Sequence, residues 1–533
     1  MDQTTSQTPA TEQTEMHPSR WGDPERVTPL PDAARGLIEM VFGLQDRPAL
    51  AEVTVPASGL DSALVAELAG LLGSDHVLLD DATRRLRTRG KSTPDLLRQR
   101  SGDLDDAPDA VVRPGNHEEV AAVLTWAVQH HVAVVPFGGG TSVTGGLVAR
   151  RDGFAGLISL DLIRMKRLLE VDHTSMTATL EPGLRGPEAE ALLAAEGLTL
   201  GHYPQSFEYA TIGGFAATRS SGQSSAGYGR FDALVVGLRV ATPRGEVSLG
   251  SSPANAAGPD LRQLFLGSEG AFGVITAVTV RVRRLPAQKI YEGWHWASFV
   301  EGAAAMRTLA QAGMLPTVIR LSDESETAIN LARPSEIGAE SSGGCMMITG
   351  YEGEPEAVAA KRAAVTSVLA GLGGKPLGEE PGQAWAHGRF DAPYLRDSLL
   401  DVGVLAETLE TAAFWSNIDD LYAGVKGALE ASLGDGAIVL CHISHVYETG
   451  CSLYFTVAQK AAEDALGQWL PAKAAASDAI TKVGATITHH HAVGTDHKPW
   501  LTAEIGELGA SILRAVKADL DPTGILNPGV LIP

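Results

Sequence analysis

The run Pro136-Phe137-Gly138-Gly139-Gly140-Thr141-Ser142-Val143-Thr144-Gly145-Gly146 constrains this chain more than any other stretch. The apolar residues Val132 to Phe137 read as a buried strand. The glycines after it can turn with positive φ and leave successive backbone N–H groups bare, a concave anion site suited to a pyrophosphate. A triple glycine is also an ordinary turn. The hydroxyls of Thr141 and Ser142, and a second glycine-rich block further along, favour the ligand reading. A Rossmann fingerprint would need glycines at 138, 140 and 143, and Val143 breaks it. Gly156 to Leu160 reads as another strand where a phosphate-capping helix should begin. No Gly-Lys-Ser/Thr closes a P-loop either. A dinucleotide would therefore sit in a different fold.

A chain of 533 residues, 44% hydrophobic and with 59 glycines, has material for two or three domains. Its 42 basic and 64 acidic residues give a formal charge of -22, which argues against nucleic acid as a partner. An anionic substrate would need a local cluster of arginines. Three cysteines, Cys345, Cys441 and Cys451, are too few for a disulfide framework and suit a reducing compartment. No apolar run reaches the length of a membrane span, and no signal peptide opens the chain, so the expected location is cytoplasmic. Peripheral membrane contact and a homodimer stay open.

Residues 1–20 are rich in Thr, Gln, Ser and Pro and read as a disordered tail. Residues 21–106 read as a helical N-terminal region, with helical apolar spacing over 32–50 and 60–73. The basic run Arg84, Arg85, Arg87, Arg89, Lys91, Arg98 and Arg100 reads as a solvated face. From 107 to 285 strands and helices mix: a strand at Val111-Val112, a helix from Glu118 to Gln129, a strand over 176–180, a helix from Pro187 to Glu196 and a strand from Leu234 to Thr242. The second dense block holds Pro204, Ser206, Thr211, Gly213, Gly214, Ser221, Gly222, Tyr228 and Gly229. Leu266-Gly267-Ser268-Glu269-Gly270-Ala271-Phe272-Gly273-Val274-Ile275-Thr276 follows. So many small residues suggest backbone packed against a large flat ligand.

These blocks resemble the flavin domain of the vanillyl-alcohol oxidase superfamily. The resemblance implies an α+β fold whose domain at 107–285 binds FAD, with a mixed α/β cap or substrate domain at 286–500 and a C-terminal return at 501–533. It places Pro136, Gly138, Gly139, Gly140, Thr141 and Ser142 at the pyrophosphate, and the 204–229 residues with Glu269, Gly273, Val274 and Ile275 along the rest of the cofactor. Many members attach flavin through a His in the first loop. Thr141 stands at that position, which implies noncovalent FAD.

The cap contains His489-His490-His491, Tyr447 within Ser444-His445-Val446-Tyr447-Glu448-Thr449-Gly450, and the arginines Arg320 and Arg396. A histidine titrates near neutrality and makes a plausible general base. Three contiguous histidines make a poor metal cage by themselves, so no metal is expected. A buried arginine needs an anion, and Asp323 and Asp397 are the local carboxylates. Together with Trp21-Gly22 and Arg87-Thr88-Arg89-Gly90-Lys91-Ser92, these features resemble the alkyldihydroxyacetonephosphate synthase family over roughly residues 20–533. The match reopens the solvated reading of the basic run.

The resemblance implies exchange of the acyl group of acyl-dihydroxyacetone phosphate for a fatty alcohol, a step of ether-lipid synthesis with no net redox and a covalent flavin N5–substrate intermediate. It implies Tyr447 paired with His490 or His491 for proton transfer, His489 completing the trio, and Arg396 with Arg320 for the substrate phosphate. The rival is an FAD-dependent 2-hydroxyacid dehydrogenase of the D-lactate or glycolate type. Its Glu-His pair would require a glutamate where His490 stands, and of its His/Asp metal region only His442 is kept. Ala492 stands where the synthases often carry glycine. A flavin-binding scaffold without chemistry is the non-enzymatic alternative.

Overall fold

The computed structural model describes residues 14–25, 30, 32–148, 150–151, 153–329 and 343–533. Residues 1–13 of the expected disordered tail lie outside them. Residues 14–20 depart from that expectation: Met16 and Ser19 are buried, and the Thr14 carbonyl accepts from Arg185. This segment straps the chain's own basic run, which supplies the partners that composition alone could not reveal.

The glycine loop leaves a four-stranded sheet ordered Val77–Leu78, Ala110–Val112, Gly156–Asp161, Val132–Phe137. The strands Ala110–Val112 and Val132–Phe137 both run parallel to Gly156–Asp161. The crossover helix His117–His130 is capped by Asn116, whose side chain accepts from Glu119 N. The chain's end returns to the same sheet. Val134 N donates to Ile525 O, and Asn527 N donates to Val134 O, each at 2.8 Å. Ile525 and Leu526 are fully buried in this core.

A second, five-stranded antiparallel sheet is ordered Leu168–Asp172, Thr177–Leu180, Val274–Arg281, Val235–Thr242, Gly245–Leu249. Helices Gly186–Ala195 and Ile212–Thr218 pack into its core, and Leu501 and Val530 join them from the C-terminal segment.

The third sheet has seven strands, all antiparallel: Lys375–Gly378, Gln288–Trp296, Cys345–Gly353, Val318–Ser322, Ile438–Ile443, Gly450–Lys460, Val404–Phe414. Its two faces divide by the period of 2 of a strand. Val439, Cys441, Ile443, Leu453, Phe455 and Val457 face a core shared with helices Phe299–Gln311, Pro355–Gly371, Ile418–Leu433 and Ala465–Val483. The intervening residues Ile438, Leu440, His442, Tyr454, Thr456 and Ala458 face a cavity. All three cysteines are buried and free.

The solvated reading of the basic run is overturned. Arg84, Arg87, Arg89, Lys91 and Arg100 are each less than 10% exposed. Arg87 donates to Asp161 Oδ2 at 3.0 and 2.9 Å and to Glu15 at 2.6 Å. Arg89 meets Asp106 at 2.6 Å. Lys91 Nζ donates to the carbonyls of His17 and Pro18 at 2.6 and 3.0 Å. Every such cation reaches a carboxylate or carbonyl distant in sequence, which is what makes its burial tolerable.

Candidate active site

A cavity of about 420 Å³ lies between the glycine blocks and the polar face of the seven-stranded sheet. Such a volume falls in the usual range for small-molecule sites. On one wall are Pro136, Gly138, Gly139, Gly140, Thr141, Ser142, Pro204, Ser206, Thr211, Gly213, Gly214, Ser221, Glu269, Gly273, Val274 and Ile275. On the other are Arg320, Arg396, His490 and His491. Sequence reasoning also nominated Gly222, Tyr228, Gly229, Tyr447 and His489, which lie off the wall. Tyr228 Oη donates to Glu352 of the seven-stranded sheet at 2.9 Å, and Arg283 stacks over its ring, so it is held in structural contacts. A side chain at Gly222 would run into Tyr203 and His202.

The glycine loop fits a dinucleotide phosphate. Among the described residues, no protein acceptor meets the N–H groups of Gly138 to Val143. Gly140 has φ +68°, in the left-handed region, and a Cβ on Gly139 would overlap the Tyr209 carbonyl oxygen. The loop is therefore a row of free donors held against a second wall of backbone, the form of an anion-binding nest. Glu269 closes the far side. Its carboxylate accepts Val493 N at 3.1 Å and Gly494 N at 3.0 Å, and burial pushes its pKa up to about 7. Asn527 Nδ2 donates to the Gly146 and Glu269 carbonyls at 3.0 and 2.7 Å. The C-terminal return thus ties the first glycine loop to the Leu266–Thr276 run.

Tyr447 and the histidines form a continuous chain. Tyr447 Oη lies 2.6 Å from His489 Nε2, and His489 Nδ1 lies 2.9 Å from His490 Nδ1. The expected partner of Tyr447 was His490 or His491; the tyrosine's direct partner is instead His489. The turn at 489–491 sends neighbouring rings in different directions, so His489 points back to Tyr447 while His490 and His491 meet the cavity. Burial pushes the Tyr447 hydroxyl up to about 12, against the pull of Arg230. Burial, then His490, holds His489 well below the usual imidazole range. His491 is held down to about 3, again chiefly by burial. At neutral pH His489 and His491 are neutral, and Tyr447 keeps its proton.

Glu410 organises this turn, and sequence reasoning missed it. Its buried carboxylate accepts Thr488 Oγ1 at 2.5 Å, His489 N at 2.7 Å, His491 N at 3.0 Å and His490 N at 3.2 Å. His490 Nδ1 lies 3.3 Å away. Burial alone would raise the Glu410 pKa, but the neighbouring imidazoles, His490 first, hold it well below the usual carboxylate range. The signal was a pair of glutamates, Glu407 and Glu410, inside the strand-forming run Val404–Phe414. His445 was also missed. It stacks on His489 at 5.0 Å and lies within hydrogen-bond reach of Ser225 Oγ at 2.8 Å and Ser221 Oγ at 3.1 Å. Ala492, just beyond the trio, has φ +73°, a conformation that glycine takes without strain.

The two arginines are already paired. Arg396 donates to Asp397 Oδ1 at 3.2 Å and to the Lys91 carbonyl at 2.6 Å. Asp397 was the expected partner. Arg320 binds Glu326, not Asp323, and packs against both ring nitrogens of His442 at 3.1 Å. Asp323 instead caps the next helix, accepting from Glu326 N at 2.7 Å.

Comparison with known proteins bears on the family and the fold. The FAD binding domain model matches residues 108–249, and the model for the C-terminal domain of FAD linked oxidases matches residues 285–531. Alkyldihydroxyacetonephosphate synthase of Trypanosoma brucei brucei is 35% identical, over 90% of this chain and 82% of its own. The synthase of Dictyostelium discoideum is 33% identical, over 95% and 88%. A solved alkyldihydroxyacetonephosphate synthase structure superposes with a TM-score of 0.83 at 30% identity, covering 96% of this chain and 98% of the other. A chain with this fold, this pair of glycine blocks and relatives of this similarity belongs to the alkyldihydroxyacetonephosphate synthase family.

Proposed function

We propose that this protein exchanges the acyl group of acyl-dihydroxyacetone phosphate for a fatty alcohol, leaving an ether. The observation that carries the reading is the chain Tyr447–His489–His490, which begins at half-buried Tyr447 and opens into the cavity at His490. Two hydrogen-bond directions are available to it. When His490 Nδ1 donates to His489, His490 Nε2 is a free acceptor and His489 Nε2 donates to the tyrosine oxygen. In the reverse direction Tyr447 donates and His490 Nε2 carries the proton. Both directions hold the same number of protons, so a C1 proton accepted at His490 Nε2 leaves that ring an imidazolium, whose charge faces the Glu410 carboxylate 3.3 Å from its Nδ1. The reaction needs such a reversible store. One proton leaves C1 and returns, the fatty acid departs as carboxylate, and the alcohol loses its own proton as its oxygen bonds C1.

The cofactor is FAD, held by the free N–H groups of 138–143 and walled by Pro204, Ser206, Thr211, Ser221 and Glu269. The chemistry that bound FAD supplies is that of an electrophilic ring, able to take electron density from the substrate carbon and return it, so no net oxidation is required. Attachment is noncovalent, since Thr141 presents a hydroxyl and no imidazole. Arg396 and Arg320 orient the substrate phosphate. Among the described residues no helix is long and apolar enough to cross a membrane. Peripheral contact is supported by helix Asp32–Val41, where Leu37 and Ile38 line the cavity and Met40 is 81% exposed.

The test supplies acyl-dihydroxyacetone phosphate with hexadecanol and, separately, D-lactate with a dye acceptor. Ether formation without dye reduction is expected. Dye reduction with D-lactate and no ether would put the protein among the 2-hydroxyacid dehydrogenases.

A further inference from the structure

Among the described residues three arginines, Arg320, Arg389 and Arg396, line the cavity. Arg320 is paired with Glu326 and Arg396 with Asp397. Arg389 is different. Among the described residues no carboxylate lies within ion-pair distance of it, and its Nη1 is buried without a hydrogen-bond partner. Aromatic rings surround it: the guanidinium carbon lies 4.9 Å from the ring centres of Tyr203 and Phe390 and 5.7 Å from that of Trp385. These rings fix and partly dehydrate the cation without neutralising it. The backbone beneath is pinned, with Gln223 Nε2 donating to the Arg389 carbonyl at 3.0 Å. Gln205 on the cavity wall also has a buried amide nitrogen with no acceptor.

A half-buried guanidinium, one of whose nitrogens is screened from water and meets no acceptor, lacks its anion. We propose that Arg389, with Gln205 on the same cavity wall, is the anion subsite that neutralises the substrate phosphate. The inference rests on the substrate class proposed above. A phosphate monoester carries roughly -1.5 to -2 charges at pH 7. The Arg396–Asp397 and Arg320–Glu326 pairs can orient it by hydrogen bonds, but each pair is net neutral. Arg389 is the uncompensated arginine charge on the wall. Its aromatic collar suits an anion carried on an apolar chain.

The test measures binding of hexadecyl phosphate, palmitate and hexadecanol to the flavin-loaded protein by calorimetry, so its result does not depend on turnover. The wild type is expected to bind the phosphate at least 10-fold more tightly than the alcohol. Arg389→Met is expected to remove that preference, with hexadecanol affinity and flavin content unchanged. Arg389→Lys, which keeps the charge but not the fork, is expected to lose 3- to 10-fold for the phosphate, and decides the matter should the Met variant not fold. Unchanged phosphate affinity in the variants overturns the proposal. Loss of palmitate binding alone assigns the subsite to a carboxylate and also overturns it, and loss of flavin assigns it to the cofactor. A wild type that shows the phosphate preference but forms no ether would refute the reaction and leave the subsite standing.

Discussion

Glu410→Gln is the most informative single change in the histidine turn, because it alters one atom of a buried acceptor and almost no volume. The carboxylate collects three backbone N–H groups and the Thr488 hydroxyl. Oε1 takes Thr488 Oγ1, His490 N and His491 N, so glutamine will keep its carbonyl there and place its amide nitrogen where Oε2 stood. The bond lost is then that from His489 N, at 2.7 Å. A hydrogen bond to a charged group contributes about 1.5–3 kcal/mol, and the His489 N–H is left buried and unpaired. The expected loss of stability is about 2–3 kcal/mol. That loss falls on the residue that orients Tyr447, so kcat should drop by about 10- to 100-fold while KM for the phosphorylated substrate stays within about 3-fold, as expected when positioning of a reacting group is lost. Thermal unfolding with saturating FAD and steady-state kinetics read the two effects separately. A Gln variant with full kcat and unchanged Tm would refute the reasoning, since it would mean that the carboxylate neither holds the turn nor matters to its charge balance.

Tyr447→Phe should abolish ether formation with flavin content intact, and the double variant with His489→Ala should be little worse than either single; multiplicative losses would break the relay. Arg396→Ala should raise KM for the phosphorylated substrate by about 10- to 100-fold, the loss of one charge-assisted contact, with FAD still bound; an unchanged KM assigns Arg396 to its Asp397 pair alone. Burial, then His490, lowers the His202 pKa to about 3. The unfolded chain therefore takes up a proton near pH 6.5 that the fold refuses, and stability falls as pH drops from about 6.5 towards 3. Comparing denaturant unfolding at pH 7 and 5.5, wild type should lose about 1 kcal/mol more than His202→Gln; parallel losses would show that His202 titrates freely. Acid-precipitated protein should lose its flavin fluorescence on a gel, as noncovalent attachment requires.

The elements that could be read in advance were those with a local cause. The strand before the glycine loop and the helix over 117–130 follow from apolar period. The cavity-facing set Ile438, Leu440 and His442 follows from alternation once the strand is known. What escaped was long-range. The basic run looked solvated because its partners, Glu15, Asp161 and Asp401, lie tens to hundreds of residues away. That His489 is the direct hydrogen-bond partner of Tyr447 escaped because ring direction in a tight turn depends on Glu410, whose strand lies about eighty residues upstream. Arg389 carries no motif; what distinguishes it is a buried Nη1 that meets no partner among the described residues.

The central claim is that the alcohol's own oxygen bonds C1 while the whole acyl carboxylate departs, with no net redox. The direct measurement supplies acyl-dihydroxyacetone phosphate and ¹⁸O-labelled hexadecanol to the flavin-loaded protein and follows both products by mass spectrometry. The account predicts an ether that retains the label, a released fatty acid that carries none, and no reduction of an added acceptor. An unlabelled ether, label in the fatty acid, or stoichiometric acceptor reduction would contradict it.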